Sequence, residues 1–392
     1  MNRKSLLALL LAAAMILALA GCASNTTIEA YPDDDLVLDT ASEGIDLEAG
    51  FAAYEPDTVV FYVNGDPVTW QELYYEIIYY ANYLAQQEGT QLSDWNQACT
   101  LVTDADGNYY TYGAVVLSNA VTLLVQYHVM YTKLTELGIT VSDTVQDYVD
   151  SVRQSAIDTN FDGDEQAFDD YLASMYGTRE LWDWFNTVDG MYAYDGFDTL
   201  YGEMGSNYSD EDTLTYAQGA EDGTWTQYVQ LKLIELPAAD ETADASDEAS
   251  GETAVTAQAL VDEISASWDT EGTFDELYAQ YNTNADLDPY TDGWCVYQGD
   301  TADEVYNAAL AMEVGDVQAV STGDKDYVVL KVEVEPDAGV YYDSSDGTMY
   351  TLRYYAAWQD YSDMINGEDG WLASAETEWA DGFENFTIAS VF

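Results

Sequence analysis

Basic residues are nearly missing from this chain. Its 392 residues include 9 Lys and Arg against 74 Asp and Glu, a formal charge of −65 at neutral pH. Nucleic acids and anionic headgroups are recognised through clustered Lys and Arg, so both partner classes are excluded. Imidazole is scarcer still: His128 is the single histidine, and no pair of imidazoles can be assembled anywhere. Cysteine is limited to Cys22, Cys99 and Cys295, whose spacing suggests neither a disulfide framework nor a metal site. Cys99 and Cys295 read as buried free thiols. What remains open is neutral or cationic partners, divalent ions, and unfolded polypeptides held through apolar and aromatic surface, for which 34 Tyr, 10 Trp and 10 Phe are available. An apolar content of 48% supplies two cores.

The N-terminus sets the expected compartment. Arg3 and Lys4 precede an apolar run of 15 residues, Leu6 to Ala20, and then Leu19-Ala20-Gly21-Cys22. The run is short for a membrane span, so residues 1–21 are expected to be a signal peptide. The small residues before Cys22 resemble the lipobox of bacterial lipoproteins, which implies lipidation of Cys22 and anchoring on the outer face of the cytoplasmic membrane. Ordinary secretory cleavage with Cys22 left free is the alternative. Loss of Arg3 and Lys4 leaves 7 − 74 = −67. Residues 22–56, with Asp33-Asp34-Asp35, read as an acidic flexible tether with a reach of roughly 30 Å.

Periodic structure starts with Val59-Val60-Phe61-Tyr62-Val63 and the hairpin dipeptide Asn64-Gly65. Thr69-Trp70-Gln71-Glu72 is a capping box, and Trp70, Leu73, Ile77, Ala81 and Leu84 predict a helix over 70–87. Val116, Ala120, Leu123, Tyr127, Met130 and Leu134 predict a second over 113–137, stopped by Gly138. Further helices are expected at 145–158, 165–175, 179–191 and 211–217. Tyr228 to Leu236 is strand-like and opens a second domain. Residues 238–256 form a low-complexity acidic loop. Beyond it the pattern gives helices at 257–267, at 273 onward with Thr273 as cap, and at 302–312. A turn falls at Asp292-Gly293, strands at 316–321 and 327–334, and a final aromatic-rich helix at 352–365, too short to fold alone. The fold class is α+β.

Several segments in this order resemble the PrsA-type foldase lipoproteins and the related SurA chaperones. They are Val63-Asn64-Gly65-Asp66-Pro67-Val68-Thr69, Leu137-Gly138-Ile139-Thr140-Val141-Ser142 and Tyr208-Ser209-Asp210-Glu211. The stretches Thr273 to Leu277, Tyr281-Asn282-Thr283, Gly293-Trp294, Gly299, Ala308-Ala309-Leu310, Gly315-Asp316-Val317 and Tyr327 to Val332 resemble a parvulin-type (PpiC) peptidyl-prolyl isomerase domain. The resemblance implies a helical chaperone domain at 57–226, an inserted parvulin-like domain of antiparallel sheet plus helices at 227–338, and a C-terminal segment, 339–392, returning to the helical part. It also implies a pocket with two histidines, a Cys or Asp, a Met and a Phe. These positions fall on Leu233 and Val328, Thr291, Thr301 and Val305, so all five depart from the pattern. Efficient isomerisation as parvulins practise it is therefore not expected.

Other constellations have plainer readings. Asp158, Asn160, Asp162, Asp164 and Asp169 fall at calcium-loop positions, but the bidentate glutamate at the last position is absent, and the same residues read as a helix–turn–helix corner. His128 reads as a satisfied histidine at the edge of the core. Adjacent aromatics, Tyr74-Tyr75, Tyr79-Tyr80, Trp182, Trp184-Phe185 and Tyr354-Tyr355 with Trp358, cannot all enter one core. Tyr75, Tyr79, Trp182, Trp184, Tyr354 and Trp358 are the candidate client-binding surface, with burial by another helix or in a homodimer as the alternative.

The expected function is that of an exported, lipid-anchored foldase or chaperone for unfolded secreted polypeptides. No cofactor is expected, and the membrane is touched through the lipid alone. An active parvulin with a rearranged pocket and a solute-binding lipoprotein are the rivals.

Overall fold

The computed structural model describes residues 45–89, 92–104, 107–220, 226–237 and 255–390. The expected signal peptide, Cys22, most of the tether and nearly all of the acidic loop lie outside them. After the short helix α1 (Leu47–Phe51), Asn64 and Gly65 take φ of 52° and 85° and fold β1 (Val59–Val63) back on β2 (Asp66–Thr69). Thr69 caps α2 (Trp70–Glu88) reciprocally: its N–H donates to Glu72 Oε2 at 2.6 Å and its Oγ1 accepts from Glu72 N at 3.4 Å. Strands β3 (Ala98–Thr103) and β4 (Tyr109–Thr111) form a hairpin that the pattern did not signal, closed at Asp104, whose N–H donates to Asn108 O.

Helix α3 (Tyr112–Glu136) follows. By length and composition it is apolar enough to cross a membrane, and Val116, Ala120, Leu124, Val129 and Leu134 on it are fully buried in protein. Helices α4 (Asp143–Asn160), α5 (Glu165–Ser174) and α6 (Arg179–Gly190) start on Ser142, Asp164 and Thr178, each accepting a backbone N–H from the first turn. Past the expected stop at Met191 the chain winds on through a π-helical turn, Met191–Gly196, into α7 (Phe197–Tyr201). Glycine makes this possible: a Cβ at Gly190 would lie 2.9 Å from Val145 Cγ1.

The described residues form two compact units, residues 45–199 with 361–390 and residues 200–360. In the second, α8 (Asp210–Tyr216) precedes β5 (Val229–Pro237), α9 (Ala257–Ala266) and α10 (Thr270–Tyr281). Then come β6 (Trp294–Val296), α11 (Asp303–Ala311), β7 (Val317–Ser321), β8 (Lys325–Val332), β9 (Gly339–Asp343), β10 (Thr348–Thr351) and α12 (Leu352–Asn366), whose last turns belong to the first unit. The sheet order is β10-β9-β6-β5-β8-β7, antiparallel except where Trp294 pairs with Gly339 in parallel. Strand β5 is buried on both faces because both are covered. Leu231 and Leu233 pack on α11 residues, while Ile234 and Leu236 pack on α9 and α10.

One expectation shifts here. Helix α10 is capped by Asp269, whose Oδ1 accepts from Gly272 N, and not by Thr273, whose hydroxyl bonds to Ser267 instead. The compact units divide at 199/200 and 360/361, where the resemblance implies domain ends at 226/227 and 338/339. Arg353 explains this: it donates to Tyr208 O at 2.5 Å, to Asp210 at 2.6 Å and to Asp337 at 2.7 Å, while Ala217, Tyr228, Val340 and Leu352 share one core.

The first unit is completed by the chain's return. Tyr361 is fully buried, stacks on Tyr192 at 5.1 Å and donates to its carbonyl. Strand β11 (Thr377–Trp379) adds to the free edge of β1, Phe61 opposite Trp379, and Phe383 packs on Tyr54 at 4.7 Å. Of the final helix, Tyr361 onward belongs to this unit.

Candidate functional site

The sheet unit holds a cleft of about 290 Å³. One wall is the edge of β5 at Leu231 to Leu233, one is α10 with Phe274 and Tyr278, and the third is the loop carrying Tyr290, Thr291 and Trp294. The loop is pinned at both ends. Asn282 Oδ1 accepts from Glu235 N at 3.0 Å, and Gln230 Nε2 donates to Asp292 O at 2.8 Å. Tyr290 Oη accepts from Tyr342 N, and Trp294 Nε1 donates to Val340 O at 2.9 Å. These bonds hold the aromatic rings before any ligand arrives.

Charge at the cleft is spoken for locally. Lys232, 8% exposed, donates to both Asp275 oxygens at 2.8 and 3.1 Å. Tyr278 Oη donates to Asp288 Oδ1 at 2.6 Å, and burial followed by this carboxylate pushes the phenol up. No imidazole is present, and the hydroxyl of Thr291 and the carboxylates are the polar groups on offer. Such a cleft can hold an apolar segment and exclude water from it. It lacks the paired imidazoles that the parvulin resemblance implies.

The five positions carried by that resemblance separate in space. Leu233 and Thr291 line the cleft. Val305 is fully buried in the core that also receives the Leu233 side chain. Thr301 is half-buried in an isolated bridge with Gln298. Val328 is fully buried on the opposite face, against α9 and α10, because its cross-strand partner is Ile234; the partner of Leu233 is Val329. Of the residues that build most of the cleft, Phe274 and Trp294 fall in stretches that carry the resemblance but were not named as site residues, and Tyr278 and Tyr290 were not singled out from sequence. Their signal was the helical spacing of Phe274 and Tyr278 and the aromatic flanks of the Asp292-Gly293 turn.

The candidate client surface is dispersed over both units. Tyr79 is 41% exposed, whereas Tyr75 is half-buried and stacked on Phe185. Trp182 lies against Phe168 in a small core with Ile157 and Leu172, and Trp184 lies against Tyr127 and His128. These two tryptophans therefore serve different packing groups. In the sheet unit Tyr354 is buried and stacks on the half-buried Trp358.

The remaining polar candidates have structural partners. His128 Nδ1 lies 2.7 Å from Asp66 Oδ2 and its Nε2 3.4 Å from Glu72 Oε1. Burial lowers its pKa, but the two carboxylates outweigh this and raise it. In the calcium-like segment, Asp162 and Gly163 turn at φ 52° and 81°, and Asp164 caps α5. Asp158 accepts from Gln154, Asn160 donates to Ala156 O, and Asp169 accepts from Arg179 Nε at 2.9 Å. Among the described residues no three His, Cys, Asp or Glu side chains gather as ligands of a metal ion. Cys99 and Cys295 are buried and unpaired, and burial raises both thiols.

No protein-family model matches this chain, and no curated protein matches it. Among solved structures it is similar to the foldase protein PrsA from Lactococcus lactis, at 14% identity over 86% of this chain and 98% of that one, with a TM-score of 0.31. PrsA from Bacillus subtilis matches at 15% identity over 71% and 91%, TM-score 0.25, and foldase protein PrsA from Streptococcus pneumoniae at 11% over 67% and 87%, TM-score 0.24. Likenesses this loose carry no part of the functional argument.

Proposed function

We propose that this chain is an exported foldase or chaperone of the PrsA kind, which holds segments of unfolded secreted polypeptides and accelerates prolyl isomerisation weakly or not at all. The reading includes cleavage after residue 21, lipidation of Cys22 and a place on the outer face of the cytoplasmic membrane. The observation that carries it is the pre-formed aromatic cleft of the sheet unit, with Phe274, Tyr278, Tyr290 and Trp294 in its walls and no imidazole within it. Rotation about a prolyl bond must overcome ~18–20 kcal/mol, and a cleft that binds cis, trans and twisted forms alike leaves that barrier in place.

Aggregation of a chemically denatured, exported protein, followed by light scattering, tests the holding function. Suppression by the full mature chain that is lost in Tyr278→Ala/Trp294→Ala supports the reading; no suppression overturns it. An active parvulin with a rearranged pocket remains the rival, favoured by the Thr291 hydroxyl in the cleft. Prolyl-peptide turnover well above the uncatalysed rate, lost in Thr291→Val, would establish that rival instead.

A further inference from the structure

Among the described residues, ladder alternation leaves Leu233 of β5 without a main-chain partner. Lys331 turns its peptide groups away from β5: its N–H donates to Asp316 O at 3.1 Å and its carbonyl accepts from Gly315 N at 2.8 Å. Residues 328, 330 and 332 therefore face β5, where they meet Ile234, Lys232 and Gln230. The odd-numbered residues of β5 point to its other edge. There Leu231 pairs with Trp294 of β6, and Glu235 is held by Asn282 Oδ1 on its N–H and by Thr283 N on its carbonyl, both at 3.0 Å. Leu233 lies between these two anchors, beyond the end of β6, with its N–H and C=O on that edge, and it lines the cleft.

A sheltered backbone donor and acceptor on one residue form a site that another main chain matches, and leaving them unmade is costly. We propose that an extended client segment enters the cleft as one rung of sheet on Leu233, its N–H donating to the Leu233 carbonyl and its C=O accepting from the Leu233 N–H. The proposal rests on the holding function above and specifies how the client is held. Client side chains beside the rung then meet Phe274 and Tyr278 on one face and Leu287 on the other. Proline has no N–H, so the residue facing Leu233 cannot be proline if both bonds form.

Charge selects the occupant. Lys133, Arg153, Arg179, Lys232, Lys325 and Arg353 each pair with a carboxylate of this chain, and Lys331 donates to Met312 O. With Lys232 committed to Asp275, Asp288 leaves the cleft negative. An apolar segment flanked by Lys or Arg fits. The chain's own insertion at 238–254, with Asp240, Glu241, Asp244, Asp247, Glu248 and Glu252, does not.

The test is a titration of the full mature chain with acetyl-Lys-Val-Leu-Thr-Val-Lys-amide and its single N-methyl variants, with exchange of the Leu233 amide followed by NMR. N-methylation at one register position should weaken binding about tenfold while its neighbours change little, and the parent peptide should protect the Leu233 amide. A flat N-methyl series with the peptide still bound overturns the rung and leaves the holding function standing. Absence of any binding overturns both. A Leu233 amide already protected in the free chain, and released on deleting 238–254, gives the edge to the chain's own insertion and likewise overturns the proposal.

Discussion

Leu233 stands opposite Val329 in the β5–β8 ladder, so Val328, one residue earlier, faces Ile234 and the helices on the far side of the sheet. A one-residue step along a strand changes the face of every side chain. Val328→Ala should therefore act on stability alone. It should cost about 1–3 kcal/mol in urea unfolding and leave peptide binding unchanged, whereas Tyr278→Ala should weaken binding with a smaller stability change.

Among the described residues, two carboxyl groups of the helical unit each keep a buried oxygen with no hydrogen-bond partner. Glu76 is 3% exposed and its Oε2 has no partner; Asp189 Oδ1 likewise, while its Oδ2 accepts from Tyr127 at 3.1 Å. Burial pushes Glu76 up to about 8 and Asp189 up to about 7. A pKa raised in the folded state gives stability that is full below the unfolded value, near 4, and is lost as pH rises through the folded one. His128, also raised, loses its ion pairs in the same direction. Melting temperature should thus fall between pH 5 and 8. Glu76→Gln/Asp189→Asn should flatten the profile and be more stable than the parent at pH 8 by about 1–3 kcal/mol.

Gly196 admits the return of the chain. A Cβ there would lie 2.7 Å from Leu134 Cδ2 and 3.0 Å from Met191 O, with Tyr361 Oη closer still. Gly196→Ala should destabilise the helical unit by roughly 2–4 kcal/mol, read as a lower melting temperature with the sheet unit's peptide binding intact.

Arg353 is largely sheltered while its partners Asp210 and Asp337 are mostly exposed. Exposed carboxylates make weak pairs, so Arg353→Met should cost only about 1–2 kcal/mol, chiefly through the unsatisfied Tyr208 carbonyl. Guanidinium chloride unfolding of the variant checks this.

Segments whose local chemistry and tertiary role agree were legible in the sequence. Asn64-Gly65 needs positive φ and obtains it, and Thr69 with Glu72 closes the capping box that starts α2. Strand β5 declared itself through its apolar run. Other features were not legible. The short strands β6, β9 and β10 carry too few residues to show alternation. The register that separates Val328 from Leu233 is set by pairing with β8 rather than by composition. The cleft is assembled from β5, α10 and the 285–294 loop, and no local pattern brings Tyr278, Tyr290 and Trp294 together.

The central claim is that the cleft holds polypeptide and turns its prolyl bonds weakly or not at all. NMR exchange spectroscopy on a proline-containing peptide, with the full mature chain present, reads both halves at once. The account predicts that the Trp294 indole and Tyr278 ring signals move on titration while the cis–trans exchange rate stays close to that of the free peptide. Exchange well above the uncatalysed rate at catalytic amounts of protein, or cleft signals that do not move at saturating peptide, would contradict it.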